Sequence, residues 1–230
     1  MKVHKITGVF CAATTPITEQ GEPDLARFTG HCQRLLSEGC HGVALLGTTG
    51  EANSFSMRER FAILEAALAA GVPADALLPG TGVVASPDTI ELTRHALSNG
   101  VRKVVMLPPF YYKGVSDDGL FAAYARIIEG ISNPDLQVIL YHIPQVSGVP
   151  LSQDLIGRLI EAFPEQIVGI KDSAGDFNNM QKLVEQFPGF SVLAGADPLM
   201  LPLLKAGGAG CITATSNLVA GSLRTIYDKV

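Results

Sequence analysis

Short apolar runs rich in Val, Ile and Leu alternate along the whole chain with longer segments that carry apolar residues at helical spacing, and eight such pairs are present. The predicted strands cover residues 8–13, 42–46, 76–79, 103–107, 138–142, 167–171, 191–194 and 211–214, of which 76–79 has the weakest pattern. The predicted helices cover residues 24–37, 56–70, 86–98, 117–130, 152–163, 176–187, 198–205 and 218–229.

The predicted strands are continuous apolar runs rather than alternating ones. This pattern is typical of parallel strands that are covered on both faces by crossover helices. Helix-start signals such as Ser56 with Glu59, and Ser86 with Pro87, stand at the expected places. Eight βα units therefore predict a closed (β/α)₈ barrel, with residues 1–230 as a single domain. Barrels of this kind typically need about 250 residues, so this one is compact or cut short.

A doubly wound open sheet is the rival fold. Gly80, Gly82 and Ala85 resemble part of the dinucleotide-binding turn of such sheets. The acidic residue expected about 20 positions later is missing, because residues 100–103 read Gly-Val-Arg-Lys. A plain glycine turn is the preferred interpretation.

The charge balance excludes some partners. Lys and Arg number 17 against 22 Asp and Glu, a net charge of -5, so no basic field favours nucleic acid or an anionic membrane surface. The charge-free stretch 206–223 is interrupted by glycines and hydroxyl side chains, which predicts loop and strand rather than a membrane span. Four scattered cysteines and an N-terminus without a signal-peptide core indicate a reducing, cytoplasmic location.

Reactive groups in a barrel lie at the carboxyl ends of its strands. Lys171 ends the apolar run 167–170, and burial there would favour a free amine that can attack a carbonyl. Tyr141 ends the preceding strand and would supply a proton carrier beside that amine. The alternatives are that Lys171 reaches the rim and pairs with Asp172, and that Tyr141 is an ordinary core ring.

The turn after the second strand reads Gly47, Thr48, Thr49, Gly50. Its backbone N–H groups and two hydroxyls would suit a substrate carboxylate or a developing oxyanion, although such turns are often plain βα connections.

A metal site is disfavoured because the His31-Cys32 and Cys40-His41 pairs match no zinc spacing. Neither a GxSxG elbow nor a flanked catalytic cysteine supports acyl transfer.

Five motifs together resemble the pyruvate-dependent class I lyases related to dihydrodipicolinate synthase and N-acetylneuraminate lyase. Their order and spacing match over almost the whole chain. They are GTTGE at 47–51, PFYY at 109–112, YHIPQVSG at 141–148, GIKDS at 169–173 and AGAD at 194–197.

The resemblance implies a (β/α)₈ barrel in which Lys171 forms a Schiff base with pyruvate and Tyr141 shuttles protons to and from the imine and the aldehyde. Thr48 and Thr49 would hold the pyruvate carboxylate, and the hydroxyl of one would pass protons to Tyr141. Tyr112, preferred over Tyr111 by its position relative to 119–120, would complete the relay from a neighbouring subunit.

The resemblance also places Gly47, Gly195 and the backbone of Ile212 at the substrate. It implies no metal and no organic cofactor, since the imine itself supplies the electron sink. The implied partners are pyruvate and an aldehyde, with a homo-oligomer, a dimer or a tetramer, as the assembly.

Two departures from the family pattern qualify the substrate. Val146 stands where dihydrodipicolinate synthases carry an arginine for the aldehyde's carboxylate, and His142 replaces the usual asparagine. An isopropyl group cannot replace a bidentate guanidinium contact. The sequence also stops at Val230, where the family usually continues into a helical extension.

Several functions therefore stay open. The leading one is a Schiff-base lyase that adds pyruvate to an aldehyde or cleaves it from one, as dihydrodipicolinate synthase does. A keto-deoxy sugar acid aldolase or an N-acetylneuraminate-type lyase is the alternative, and a compact aldolase for phosphorylated sugars is a further one. From another class, a truncated, non-catalytic pyruvate-binding paralogue would keep the pocket without turnover.

Overall fold

The computed structural model describes residues 6–230, in which seven parallel strands form one sheet. The order across the sheet is β2-β1-β7-β6-β5-β4-β3. The strands are β1 (Gly8–Ala12), β2 (Gly42–Ala44), β3 (Lys103–Met106), β4 (Gln137–His142), β5 (Ile167–Asp172), β6 (Ser191–Ala194) and β7 (Gly210–Thr213). Each lies within one residue of its predicted start, and β2 ends two residues before its predicted end, next to the left-handed backbone of Leu46.

The third predicted strand, 76–79, closes the barrel without forming a full ladder. The extended segment 77–80 lies between β2 and β3 and bridges both in parallel, through Val43 with Leu77 and Gly80 with Val105. The Leu78 N–H donates to the carbonyl of Val43 at 2.9 Å, and that of Val105 donates to Pro79 at 2.9 Å. The eight-unit (β/α)₈ barrel is thus present, with its third strand reduced to two isolated bridges.

All eight predicted helices form, with ends displaced by at most two residues. Within residues 6–230 a ninth α-helix, α5, is also present and was not predicted, because four residues are too short to show helical periodicity. The helices are α1 (Leu25–Ser37), α2 (Met57–Ala69), α3 (Ser86–Ser98), α4 (Asp117–Ile131), α5 (Pro144–Ser147), α6 (Gln153–Ala162), α7 (Phe177–Gln186), α8 (Asp197–Lys205) and α9 (Ser216–Asp228).

Serine or aspartate side chains cap several helices where the sequence predicts them, but the prediction for Ser86 is wrong, because α3 begins at Ser86 itself and its N-cap residue, Ala85, has no capping side chain. Ser56 accepts from the backbone N–H of Glu59 while the Glu59 carboxylate accepts from the backbone N–H of Ser56, which is a complete capping box before α2. Among the described residues, no helix has both the length and the apolar character needed to cross a bilayer.

Apolar side chains form two layers. The larger layer packs the outer faces of the strands against the helices, and the smaller one fills the barrel interior. The interior layer consists of Ile6, Phe10, Ala12, Ala44, Leu78, Val105, Ile139, Tyr141, Ile143, Val168, Leu193, Ala209 and Ile212. Tyr141 is thus a barrel-interior residue with a polar end.

Candidate active site

Lys171 and Tyr141 lie side by side inside the barrel. They are register partners across β5 and β4, near the carboxyl ends of both strands. The Nζ atom of Lys171 lies 4.2 Å from the centroid of the Tyr141 ring. Only 6% of Lys171 and 4% of Tyr141 is exposed, so an amine and a phenol face each other in a nearly dry setting.

A bulge in β5 turns Lys171 inward. Val138 pairs with Ile167, but the next residue of β4, Ile139, pairs with Gly169, so Val168 is an extra residue. Side chains alternate between the two faces of a strand, so one inserted residue exchanges the faces of everything that follows. Val168 and Lys171 therefore both reach the interior, which an unbroken alternation would not allow.

Asp172 points away from Lys171 and does not pair with it. Its carboxylate accepts from the backbone N–H of Ala174 at 2.9 Å and from the side-chain amide of Asn179 at 2.8 Å. The alternative in which Lys171 reaches the rim to pair with Asp172 is therefore wrong, because neighbours on a strand face opposite sides.

His142, next to Tyr141 on β4, also faces outward. Its Nδ1 accepts from the backbone N–H of Leu151 at 3.1 Å. Burial lowers the pKa of His142, and the nearby Asp172 carboxylate acts in the opposite direction. A neutral imidazole that supports the turn after α5 fits these contacts.

The Tyr141 hydroxyl has polar neighbours at the mouth of the barrel. The Thr48 hydroxyl lies 3.3 Å from it. Burial alone would raise the pKa of Tyr141, but the charge of Lys171 and hydrogen bonding from Thr48, Lys171 and Ser173 outweigh burial and lower it. A phenol with a lowered pKa gives up its proton more readily, which suits a proton carrier.

The turn that carries Thr48 is held in a strained shape. Leu46, just before it, has φ = 57°, a left-handed conformation that costs a branched residue about 1–3 kcal/mol. Gly80 makes room for this turn, since a Cβ there would lie 2.1 Å from the Leu46 carbonyl oxygen. Gly80 and Gly82 thus serve close backbone packing, in agreement with the preferred glycine-turn interpretation.

A cavity of about 260 Å³ lies next to Tyr141, which forms part of its wall. Its walls are mostly apolar, and among the described residues Glu51 is the only charged one in the lining. The lining consists of Leu46, Gly47, Thr48, Glu51, Ala52, Asn53, Ser54, Gly80, Gly82, Val105, Leu107, Phe110, Tyr141, Ile143, Val146 and Ser147. Such a cavity would hold a small organic molecule with a few polar groups.

Of the predicted site residues, Gly47, Thr48 and Tyr141 line this cavity, and Lys171 lies against the Tyr141 ring. Thr49 is half-buried in the same turn but outside the lining. The structure thus distinguishes the two threonines, because the hydroxyl close to Tyr141 belongs to Thr48.

Three further predicted residues, besides Lys171 and Thr49, lie outside the lining. Ile212 is fully buried in the interior layer, the layer to which Tyr141 also belongs. Gly195 packs on Ser173, where a Cβ would lie 2.0 Å from the serine Oγ. Tyr112 is 75% exposed and stacks edge-on against Tyr111 at 5.2 Å, away from the cavity of its own chain.

The sequence analysis missed two residues that support the site. Ser173 helps to lower the pKa of Tyr141, and its place in the GIKDS motif was the available signal. Arg60 is buried and donates to the Ala52 carbonyl at 2.6 Å and the Asn53 side chain at 3.2 Å, both in the cavity wall. A charged residue within the apolar pattern of a helix was the signal for Arg60.

The histidines considered as metal ligands make other contacts. His31 Nε2 bonds the side-chain oxygen of Asn217 at 2.7 Å, and His41 Nδ1 accepts from the backbone N–H of Val9 at 3.0 Å. Within residues 6–230, no group of three or more His, Cys, Asp or Glu side chains is placed to hold a metal ion.

Known proteins are similar to this chain in sequence and in fold. A sequence model of the dihydrodipicolinate synthetase family matches residues 5–230. An uncharacterized DapA-like lyase of Chloroflexus aurantiacus is 36% identical over 96% of this chain and 74% of its own length. Dihydrodipicolinate synthase from Agrobacterium tumefaciens superposes with a TM-score of 0.92 at 36% identity, over 96% of this chain and 77% of the other.

A third relative carries a ligand. The structure of YagE from Escherichia coli K12, described as a prophage protein of the dihydrodipicolinic acid synthase family, is in complex with pyruvate. It superposes with a TM-score of 0.87 at 28% identity, over 95% of this chain and 73% of the other. The match over nearly all of the sequence, together with the barrel and its buried lysine, leads to one conclusion: the chain belongs to the dihydrodipicolinate synthetase family.

Proposed function

We propose that the protein is a lyase that makes or breaks a carbon–carbon bond between pyruvate and an aldehyde through an imine on Lys171. Enzymes of this family use a lysine Schiff base with pyruvate and need no cofactor. The observation that carries the proposal is the 6% exposed amine held over the Tyr141 ring, because a poorly hydrated amine is the nucleophile that this reaction needs.

The reaction starts with attack of the Lys171 amine on the keto carbon of pyruvate. The carbonyl oxygen takes up protons and leaves as water, which forms the imine. The protonated imine then withdraws electrons, so that the methyl group loses a proton and becomes an enamine. The enamine carbon forms the new bond to the aldehyde carbon, whose oxygen takes up a proton, and water releases the product from Lys171.

Tyr141 is the proposed proton carrier for these steps. Its lowered pKa and its contact with Thr48 at 3.3 Å give a short path from the amine toward the cavity. Thr48 would be the threonine that exchanges protons with Tyr141. Thr49, Gly47 and the turn's backbone N–H groups would hold the pyruvate carboxylate.

Gly195 and the Ile212 carbonyl are proposed as further pyruvate contacts. The position of Ile212 in the interior layer with Tyr141 supports this role. Gly195 would act indirectly, because its missing side chain leaves space for Ser173, which helps to lower the pKa of Tyr141.

The cavity lining favours an aldehyde without a carboxylate, as in a keto-deoxy sugar acid aldolase or an N-acetylneuraminate-type lyase. Val146 lines the cavity and is 61% exposed, so a hydrophobic side chain stands where an arginine would bind an anionic aldehyde. Glu51 would repel such an anion. Hydroxyl groups would find partners on Asn53, Ser54 and Ser147.

We further propose a homo-oligomer in which Tyr112 completes the proton relay of a neighbouring subunit. The exposure of Tyr112 and Tyr111 supports this role, since two tyrosine rings at the surface suit an interface.

Four buried cysteine thiols suit a reducing compartment and support a cytoplasmic location.

Borohydride reduction in the presence of pyruvate tests the mechanism. We expect a stable adduct on the peptide that contains Lys171, detected by mass mapping, and none in Lys171→Ala. An adduct that is absent, or equal in both proteins, would refute the imine. Assays with glyceraldehyde, N-acetylmannosamine and aspartate semialdehyde then test the aldehyde class, and saturable pyruvate binding without turnover would indicate a non-catalytic binder.

A further inference from the structure

Lys113 connects two segments at the mouth of the cavity. It lies in the segment between β3 and α4, and its ammonium donates to the carbonyl oxygens of Phe110 and of Ser147, the latter at 2.6 Å. Phe110 and Ser147 both belong to the cavity lining. Two walls that are distant in sequence thus share one cation.

Gly148 makes space for this connection. It ends α5 with φ = 65°, a conformation that favours glycine. A Cβ at this position would lie 3.0 Å from Cδ and 3.1 Å from Cε of Lys113. The backbone after α5 is therefore shaped both for the turn and for the passage of the lysine stem.

The carbonyl of Ser147 is one of those left without a helical partner at the end of α5. A cation at a helix C-terminus satisfies such carbonyls and interacts favourably with the helix dipole. α5 has only four residues and carries Val146, so its position depends on contacts from outside the helix.

We propose that Lys113 is a positioning residue that sets the width of the aldehyde end of the cavity by holding Phe110 and α5 at a fixed separation. The identity of the ligand in the cavity rests on the proposed function, whereas the hydrogen-bonded connection that Lys113 makes between the two segments does not. Lys113 acts through Phe110, Val146 and Ser147, so its loss should weaken aldehyde use without preventing imine formation on Lys171.

Lys113→Met tests this role because it keeps most of the stem and removes the ammonium. We expect kcat/KM for the aldehyde to fall by about tenfold or more, mainly through KM, because the misplaced walls no longer orient the aldehyde. Pyruvate adduct formation should stay within about twofold of wild type. Lys113→Arg, which can still donate to two carbonyls, should restore most of the loss.

The chain offers a matched control in Lys103. Its ammonium donates to the backbone carbonyl of Asp75 at 2.8 Å, at the amino end of β3 and therefore at the opposite end of the barrel. Lys103→Met should leave aldehyde kinetics unchanged. An equal loss in both variants would show a general effect on the fold and overturn the proposal.

Hydrogen exchange measures the effect of the Lys113 connection on α5 directly. The amides of Ser147 and Gly148 donate to Ile143 and Pro144 at 2.9 and 2.8 Å, so they are protected in the folded chain. Lys113→Met should speed their exchange by about fivefold or more, and Lys103→Met should not. Unchanged exchange in Lys113→Met would refute the positioning role of Lys113, even if the protein formed no imine. A missing imine together with faster exchange would refute only the proposed function.

The kinetic pattern separates positioning from direct recognition. A loss confined to anionic aldehydes would mean that the Lys113 charge binds substrate, and would overturn a positioning role. Gly148→Ala completes a double-mutant cycle with Lys113→Ala. The backbone strain at φ = 65° is present in both backgrounds, whereas the clash with the lysine stem is present only beside Lys113, so Gly148→Ala should impair aldehyde use less in Lys113→Ala than in the wild-type background. Full additivity would contradict the contact between the two residues.

Discussion

Lys171 and Tyr141 are joined by strand register rather than by sequence neighbourhood. They are paired across β5 and β4, with Nζ of Lys171 4.2 Å from the centroid of the Tyr141 ring. The bulge at Val168 places the lysine on the inner face, and Gly169 permits the bulge beside β6, since a Cβ on Gly169 would lie 2.6 Å from the Ser191 carbonyl oxygen. The site therefore depends on backbone geometry in β5 as much as on the two reactive side chains.

Tyr141→Phe should lower turnover by about 10²- to 10⁴-fold, because it removes the proton carrier and keeps the ring beside Lys171. The borohydride-trapped adduct should still form, although more slowly. Single-turnover assays and mass mapping measure the two effects.

Tyr124→Phe is the matched control for Tyr141→Phe. The Tyr124 hydroxyl is buried and donates to the Met106 carbonyl at 3.3 Å, outside the cavity lining. We expect a loss of about 1 kcal/mol in the free energy of unfolding with unchanged turnover. Full activity in Tyr141→Phe would remove Tyr141 from the relay.

Thr48→Val and Thr49→Val should affect different kinetic constants. Thr48 is the threonine within 3.3 Å of the Tyr141 hydroxyl, so its valine variant should lower kcat by about tenfold or more. Thr49→Val should mainly raise the KM for pyruvate by about tenfold, through a lost hydrogen bond to the carboxylate. Steady-state kinetics with pyruvate as the varied substrate measure kcat and KM for both variants. Identical effects in the two variants would contradict the separation of roles.

Gly169→Ala should destabilise the barrel by about 1–3 kcal/mol and reduce adduct formation on Lys171, because the added methyl group has no space beside β6. Gly30→Ala is the control. Gly30 lies in α1, where a Cβ would meet nothing within 4 Å beyond the adjacent backbone of its own helix, so Gly30→Ala should raise the free energy of unfolding by up to about 1 kcal/mol. Urea unfolding measures both, and a Gly169→Ala variant as stable as wild type would exclude tight packing at the bulge.

His142 should make the protein less stable in acid. Burial lowers the pKa of His142 below the ordinary 6.5, so the unfolded chain takes up a proton before the folded chain does. Above about pH 6.5 the imidazole is neutral in both states, so its titration does not lower the free energy of unfolding. As the pH falls from there through the folded-state pKa, the free energy of unfolding decreases.

His142→Asn should reduce this slope, since an amide oxygen can accept from Leu151 and does not titrate. The free energy of unfolding is measured in urea from about pH 8 down to pH 5. The values at pH 8 report packing differences alone, because the imidazole is neutral there. Parallel curves for the two proteins would contradict a titrating His142.

Mixing two inactive variants tests the shared site. If Tyr112 serves a neighbouring subunit, Lys171→Ala and Tyr112→Phe should complement each other after co-refolding. For dimers we expect about one quarter of wild-type activity, because half of randomly formed dimers are mixed and each has one intact site. Activity no higher than the sum of the separate variants would place Tyr112 outside the partner's site.

The sequence by itself determined the barrel, because continuous apolar runs and helical periodicity are local signals that repeat eight times. It also identified Lys171, Tyr141 and Thr48 from the ends of those runs and from family motifs. Their assigned roles, and the single-domain organisation, stay predictions. Local patterns predict which residues follow a strand, since those residues are adjacent in the chain.

Only the tertiary structure decided which way these side chains face. The bulge at Val168 reverses the alternation that the sequence implies for Lys171, because β4 sets the register from about 30 residues away. The third strand is reduced to bridges, and Leu46 adopts a left-handed backbone against Gly80, a residue that is 34 positions away in the chain. The support from Ser173 and Arg60 likewise arises from contacts between separate segments, which no local pattern encodes.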